Sequence, residues 1–173
     1  AAQTQYQQAD NMTDQMAALV ALVNSNERSI AQQLLAEFYT RWKQDALVVN
    51  QWLSVQAGSA QFGTVADINA LLEHEAFDWR NPNKVRSVIS AFANQSLLNF
   101  HSADGSGYVL LADAVLKLNT SNPQIASCLL TPLTRWNRLV PTQGAQMKAQ
   151  LQRILDQGNL SKDVYEVVSK SLI

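Results

Sequence analysis

The chain has 173 residues, 47% of them hydrophobic, with 13 Lys and Arg against 14 Asp and Glu and a formal net charge of −1. That length and apolar fraction suit one folded domain with a continuous core. Balanced charge without a basic cluster leaves no electrostatic footprint for a phosphate backbone or an anionic membrane, and no apolar run approaches the roughly 20 residues that span a bilayer.

A single cysteine, Cys128, cannot form an internal disulfide, so a reducing cytoplasm is the default expectation. The N-terminal AAQTQYQQADNMTDQ has no initiating Met, no basic n-region and no apolar h-region. It reads as neither a signal peptide nor a natural start, but as a cut inside a longer chain.

Periodicity begins at Asp10. Met12, Met16, Leu19, Val20 and Val23 recur every three or four residues, which predicts a first helix over Asn11 to Val23 with these side chains inward. Ser25 or Asn26 is expected to cap the second helix, whose apolar stripe runs Ile30, Leu34, Phe38, Tyr39 and Trp42. Asp45 is expected to cap a third, with Val48, Val49, Trp52, Leu53 and Val55 inward and Gly58 at its end. Thr64 and Asp67 have the spacing of a capping box for a fourth helix, Thr64 to His74.

Asn81 caps and Pro82 opens the fifth helix, since proline lacks only an N–H that would have no intrahelical partner there. Its buried stripe is Val85, Val88, Ile89 and Phe92. A short helix over Ser96 to Phe100 leads into the turn His101 to Tyr108, and a sixth helix runs from about Ser106 to Leu118. The seventh, Pro123 to about Arg138, repeats the Asn-Pro start, with Pro132 expected to kink or break it. Helices over Pro141 to Leu155 and Ser161 to Leu172 complete the chain.

No segment alternates with period two between turn signals, so the fold class is all-α. Short loops between these helices imply antiparallel hairpins, about eight to ten helices in all. The two Asn-Pro starts, about 40 residues apart, match the period of HEAT or armadillo repeats stacked as an α-superhelix.

Residue chemistry by itself marks no active site. His74-Glu75 resembles the start of a zinc helix, but a second His is needed four residues on and Asp78 stands there, so a solvated helix end is the better reading. His101 beside its turn reads as a hydrogen-bonded structural residue. No nucleophile elbow, phosphate loop or G-x-G-x-x-G is present. Within Ile125 to Leu130, Cys128 reads as a small core residue. Polar groups on rigid elements occur at Ser102 to Gly107 and at Asn122-Pro123-Gln124.

Several of these stretches together carry a resemblance. ADNMTDQMAAL at Ala9 to Leu19, NPNKVRSVISAFA at Asn81 to Ala93, FHSADGSGY at Phe100 to Tyr108, NPQIAS at Asn122 to Ser127 and the NLSKDVYEVVSKSL tail resemble the C-terminal helical domain of bacterial aminopeptidase N. This is the gluzincin-type family of zinc alanyl aminopeptidases. The resemblance implies that residues 1–173 are a single C-terminal domain capping the active-site chamber of a larger enzyme, controlling which peptides enter. It also implies that zinc, the H-E-x-x-H motif and the catalytic base belong to a catalytic domain elsewhere in the polypeptide, so that this chain alone is not catalytic.

Three residues carry implied roles. Gln124 matches a glutamine that helps line the pocket for the substrate's first side chain. Arg86 matches a cavity-facing arginine, where a cation attracts a peptide's C-terminal carboxylate. Cys128 stands where relatives carry another cavity arginine, which implies that it lines the cavity instead of filling a core. The competing expectation is a stand-alone helical-repeat scaffold that binds a protein partner in its concave face.

Overall fold

The computed structural model describes residues 1–173, and every regular element is helical. Packing divides the chain into two compact units. The first is Ala1–Asp78 with Asn83–Ser96, and the second is Trp79–Pro82 with Leu97–Ile173.

The first unit opens with α1 (Ala2–Gln8), then α2 (Met12–Val23), α3 (Arg28–Trp42), α4 (Ala46–Ala57) and α5 (Val65–Leu72). The short α1 was not anticipated, because its glutamine-rich sequence buries only Tyr6. Helix α2 is capped by Asn11, whose side chain accepts from the Asp14 N–H. Its buried face is Gln15, Ala18, Leu19, Leu22 and Val23. Met12 and Met16 are half-buried and Val20 is 42% exposed, which corrects the expected inward stripe. The helix carries more apolar positions than one face holds, and Gln15 is tolerated inside because its Oε1 accepts from Trp42 Nε1 at 3.1 Å.

Helix α3 starts at Glu27 without a side-chain cap; Ser25 instead uses its Oγ to accept from the Glu27 N–H within the preceding turn. Asp45 caps α4 as expected, accepting from Leu47 and Val48. Thr64 caps α5 by accepting from the Asp67 N–H, and its hydroxyl donates to the Asp67 carboxylate. The core between these helices is Leu19, Leu22, Phe38, Leu53 and Ile68 with Val88, Ile89 and Phe92. Each such side chain contributes about 1.5–3 kcal/mol by leaving water.

The helix expected from Pro82 is continuous in path but not in register. After α6 (Pro82–Val85), Arg86–Ser90 forms a π turn before α7 (Ala91–Gln95) resumes. The Ala91 N–H reaches Arg86 O and Val88 O and passes over Ser87 O, its α-helical acceptor.

The second unit holds α8 (Leu97–Phe100), α9 (Ser106–Leu118), α10 (Pro123–Leu129), a 3₁₀ segment Leu133–Arg138, α11 (Pro141–Asp156) and α12 (Lys162–Ser171). Pro132 ends α10 and turns the expected long seventh helix into two pieces. Gly105, at φ 73°, supplies the left-handed step into α9. Gly107 lets α9 lie against α8, since a Cβ there would collide with the Phe100 carbonyl. Buried Asn119 at the end of α9 donates to Asn159 O at 3.1 Å and accepts from the Ser161 N–H at 2.8 Å, which seats the start of α12. Tyr108, Leu111, Leu118, Leu130, Leu151 and Val168 anchor this core.

Candidate functional site

The three residues singled out from the sequence are all on the surface. Arg86 opens the π turn of the first unit; it is exposed, and its Nη1 lies 3.4 Å from Asn83 Oδ1. Gln124 and Cys128 belong to the second unit. Asn122 accepts from the Ile125 N–H at 3.2 Å and Pro123 occupies the first turn, which fixes α10 so that Gln124 and Cys128 lie one turn apart on the same side. Both are exposed. The core reading of Cys128 is therefore corrected: Ile125, Ala126 and Leu129 take the inward positions of α10 and leave residue 128 outside.

The glycine turn of the second unit is closed on itself. Asp104 Oδ1 accepts from Ser106 N–H at 3.0 Å, Ser106 Oγ at 2.7 Å and Ser102 Oγ at 2.8 Å. The Ser106 N–H and hydroxyl, then the Ser102 hydroxyl, lower the Asp104 pKa to about 2. Gln143 Nε2 donates to His101 O and Gln146 Nε2 to Ala103 O, tying the turn to α11. His101 Nδ1 pairs with Tyr108 Oη at 2.7 Å, and burial pushes the imidazole pKa down and the phenol pKa up. His101 has the structural role its position suggested.

The first unit carries two grooves that the sequence did not reveal. One, of about 480 Å³, runs between α2 and α4 past Met12, Met16, Asn50, Ser54, Val55 and Ser87. At the π turn, Ser54 Oγ donates to Ser87 O at 3.0 Å, and Lys84 Nζ approaches Asn50 Oδ1 at 3.5 Å. Burial lowers the Lys84 pKa, opposed by the charge of Asp78.

The other, of about 390 Å³, has α3 and α5 as walls and Trp52 and Gln56 of α4 as floor. Arg28 bridges one end, with Nη2 2.8 Å from Asp67 Oδ1, Nη1 donating to Gln61 O and its guanidinium 4.4 Å over Phe62. At the other end Tyr39 donates to Glu75 at 2.9 Å. Burial, then that bond, raises the Tyr39 pKa. His74 is no solvated helix end: its ring packs 4.9 Å from Tyr39 and 5.1 Å from Trp52, and its Nδ1 accepts from the Ala76 N–H at 3.0 Å. Trp52 and Tyr39 read in the sequence as core residues, and nothing there distinguished Gln56 from its many glutamine neighbours.

A zinc ion does not fit the donors in this chain. His74 Nδ1 and His101 Nδ1 are engaged by Ala76 and Tyr108, and no three His, Cys, Asp or Glu side chains are grouped to hold a metal. No helix is long and apolar enough to cross a membrane.

Comparison with known proteins places this architecture. The chain is 39% identical to aminopeptidase N of Haemophilus influenzae over 98% of its length, and 39% identical to that of Escherichia coli over 97%, and it spans 19% of either protein. It superposes on the crystal structure of Legionella pneumophila aminopeptidase A in complex with aspartic acid with a TM-score of 0.91 at 32% identity. That match covers 99% of this chain and 20% of that one. The chain thus spans about a fifth of these relatives. A domain family described as "Domain of unknown function (DUF3458_C) ARM repeats" matches residues 1–173, and the chain belongs to that family of helical repeat domains.

Proposed function

We propose that residues 1–173 form one C-terminal, non-catalytic domain of a cytoplasmic zinc metallo-aminopeptidase. In this reading the domain caps the active-site chamber and controls which peptides reach it and at what size. The observation that carries the reading is alignment along nearly the whole chain to aminopeptidases of which it makes up only a fifth. The partner of the domain is then the catalytic domain of the same polypeptide, and its ligands are peptide substrates.

The exposed positions of Arg86, Gln124 and Cys128 support a role at a surface and not in a core. Gln124 contributes to the wall around the substrate's first side chain, and Arg86 supplies positive charge for a peptide's free carboxylate. With Cys128 in place of a cation, guidance of the peptide is weaker than in relatives with an arginine there.

The test is made in the full-length polypeptide. Gln124→Ala should change the ranking of N-terminal side chains in kcat/KM with unaltered thermal stability, and Arg86→Ala should raise KM for free-acid peptides more than for their amides. Unchanged specificity in both variants, or hydrolysis of an alanine anilide by residues 1–173 alone, would overturn the reading.

A further inference from the structure

Arg86 has no strong partner to fix its side chain. Its Nη1 lies 3.4 Å from Asn83 Oδ1, at the long end of hydrogen bonding, and both side chains are exposed. It forms no ion pair. The direction of the guanidinium is therefore set by the backbone beneath it, and that backbone is the π turn Arg86–Ser90. In the turn the Ala91 N–H reaches Arg86 O and passes over Ser87 O. The competing α pairing, Ala91 N–H to Ser87 O, is one residue away. Because an α-helix turns the chain by about 100° per residue, conversion to α pairing would swing Arg86 by up to about that angle relative to the residues that follow. Val88, Ile89 and Phe92 are fully buried and hold those following residues in place.

One contact opposes that conversion. Ser54 Oγ donates to Ser87 O at 3.0 Å from α4, so the carbonyl that would receive the α bond is already engaged. Ser87 in turn donates its hydroxyl to Asn83 O at 2.7 Å, which ties the turn to the residue beside the Arg86 guanidinium. One turn before Ser54, Asn50 Oδ1 lies 3.5 Å from Lys84 Nζ, a second point at which α4 meets the start of the same helix. Packing alone does not call for a hydroxyl at position 54. Ser54 is half-buried beside Met12, Met16 and Val55 in the groove of about 480 Å³, where a larger apolar side chain would bury more surface.

The geometry points to Ser54 as a positioning residue for Arg86: by occupying Ser87 O it keeps the turn in π register and holds the guanidinium toward a peptide's free carboxylate. This rests on the reading of Arg86 given above and adds the residue that aims it. Ser54 touches no substrate and acts through Arg86 alone. Its removal therefore weakens recognition of the carboxylate and leaves the bond-breaking step as it was.

The test compares trialanine with its C-terminal amide as substrates of the full-length polypeptide, reading the KM of the amide over that of the acid. Ser54→Ala should lower this ratio about threefold with kcat unchanged, at the low end of coupling within one hydrogen-bonded network. Ser54→Thr keeps the hydroxyl, the groove admits its methyl, and the ratio should return. Arg86→Ala should remove the preference for the acid, and adding Ser54→Ala to it should change nothing further. Gly158→Ala strains the other unit and should leave the ratio intact, which separates positioning from a general loss of stability. An unaltered ratio in Ser54→Ala, or a further loss in the double variant, overturns the assignment. If Arg86→Ala itself leaves the preference intact, the reading of Arg86 falls and the role of Ser54 with it. If Arg86→Ala removes the preference and Ser54→Ala does not, only the positioning role falls.

Discussion

The Ser54 hydroxyl donates at 3.0 Å to the Ser87 carbonyl, the acceptor that the π turn leaves without its α-helical N–H. A hydroxyl from α4 therefore closes a defect in the neighbouring helix. Ser54→Ala should lower stability by about 1 kcal/mol, with the loss carried by that one carbonyl. Urea unfolding of Ser54→Ala beside Ser54→Thr, which keeps the donor, reads the difference.

Acid should loosen the turn around Gly105 in two stages. His101 has a lowered folded pKa, so its folded form is favoured when neutral, and that contribution is present above the ordinary value of 6.5 and lost as pH falls below it. Asp104 has its folded pKa lowered to about 2 from 3.8, so its contribution is present above 3.8 and lost between there and about 2. Thermal midpoints against pH should fall in both windows. His101→Gln should flatten only the upper one and Asp104→Asn only the lower.

Two glycines should each resist alanine, for different physical reasons. Gly107→Ala places a methyl against the Phe100 backbone and should destabilise by more than about 2 kcal/mol, despite alanine's better helix propensity. Gly158→Ala meets nothing within 4 Å and is opposed only by its φ of 70°, so about 1 kcal/mol is expected. Denaturant midpoints of the pair separate packing from backbone strain.

Leu111 is fully buried in the second unit, and Leu111→Ala should cost about 2–5 kcal/mol through lost burial and the cavity left behind. Leu98, one helix earlier, is 80% exposed, and Leu98→Ala should change stability by less than about 0.5 kcal/mol. Calorimetric midpoints of the two variants check the contrast.

Cys128 should react with a thiol reagent in native buffer, giving one equivalent without denaturant, because its side chain is exposed. A thiol that titrates only after unfolding would contradict the orientation of α10.

Helix positions were legible where local chemistry decides them. Asp45, Thr64, Asn122 and Ser161 cap the helices they precede, because an oxygen on a short side chain meets a free N–H wherever the chain turns into a helix. The inward face of α2 was misread because Met12, Met16 and Val20 are as apolar as Leu19 and Leu22. Packing against α1, α3 and α4, with Trp42 supplying a partner for Gln15, selects between the two faces. The π turn left no mark on the sequence, since Val85, Val88, Ile89 and Phe92 keep helical spacing across it. The exposed side of α10 was obscured by the apolar run around Cys128, and the groove over Gln56 depends on how far α3 stands from α5, which no single segment encodes.

The alternation of segments between the two units has a consequence for how the chain is made and cut. It passes from one unit to the other after Asp78, back after Pro82 and across again after Ser96. A ribosome therefore releases Trp79–Pro82 of the later unit before the segment bearing Val88, Ile89 and Phe92 that the earlier unit needs. A truncation ending at Asp78 leaves Leu53 and Ile68 without those side chains, so no single cut yields the first unit intact, and its final helices wait on a stretch that belongs to its neighbour.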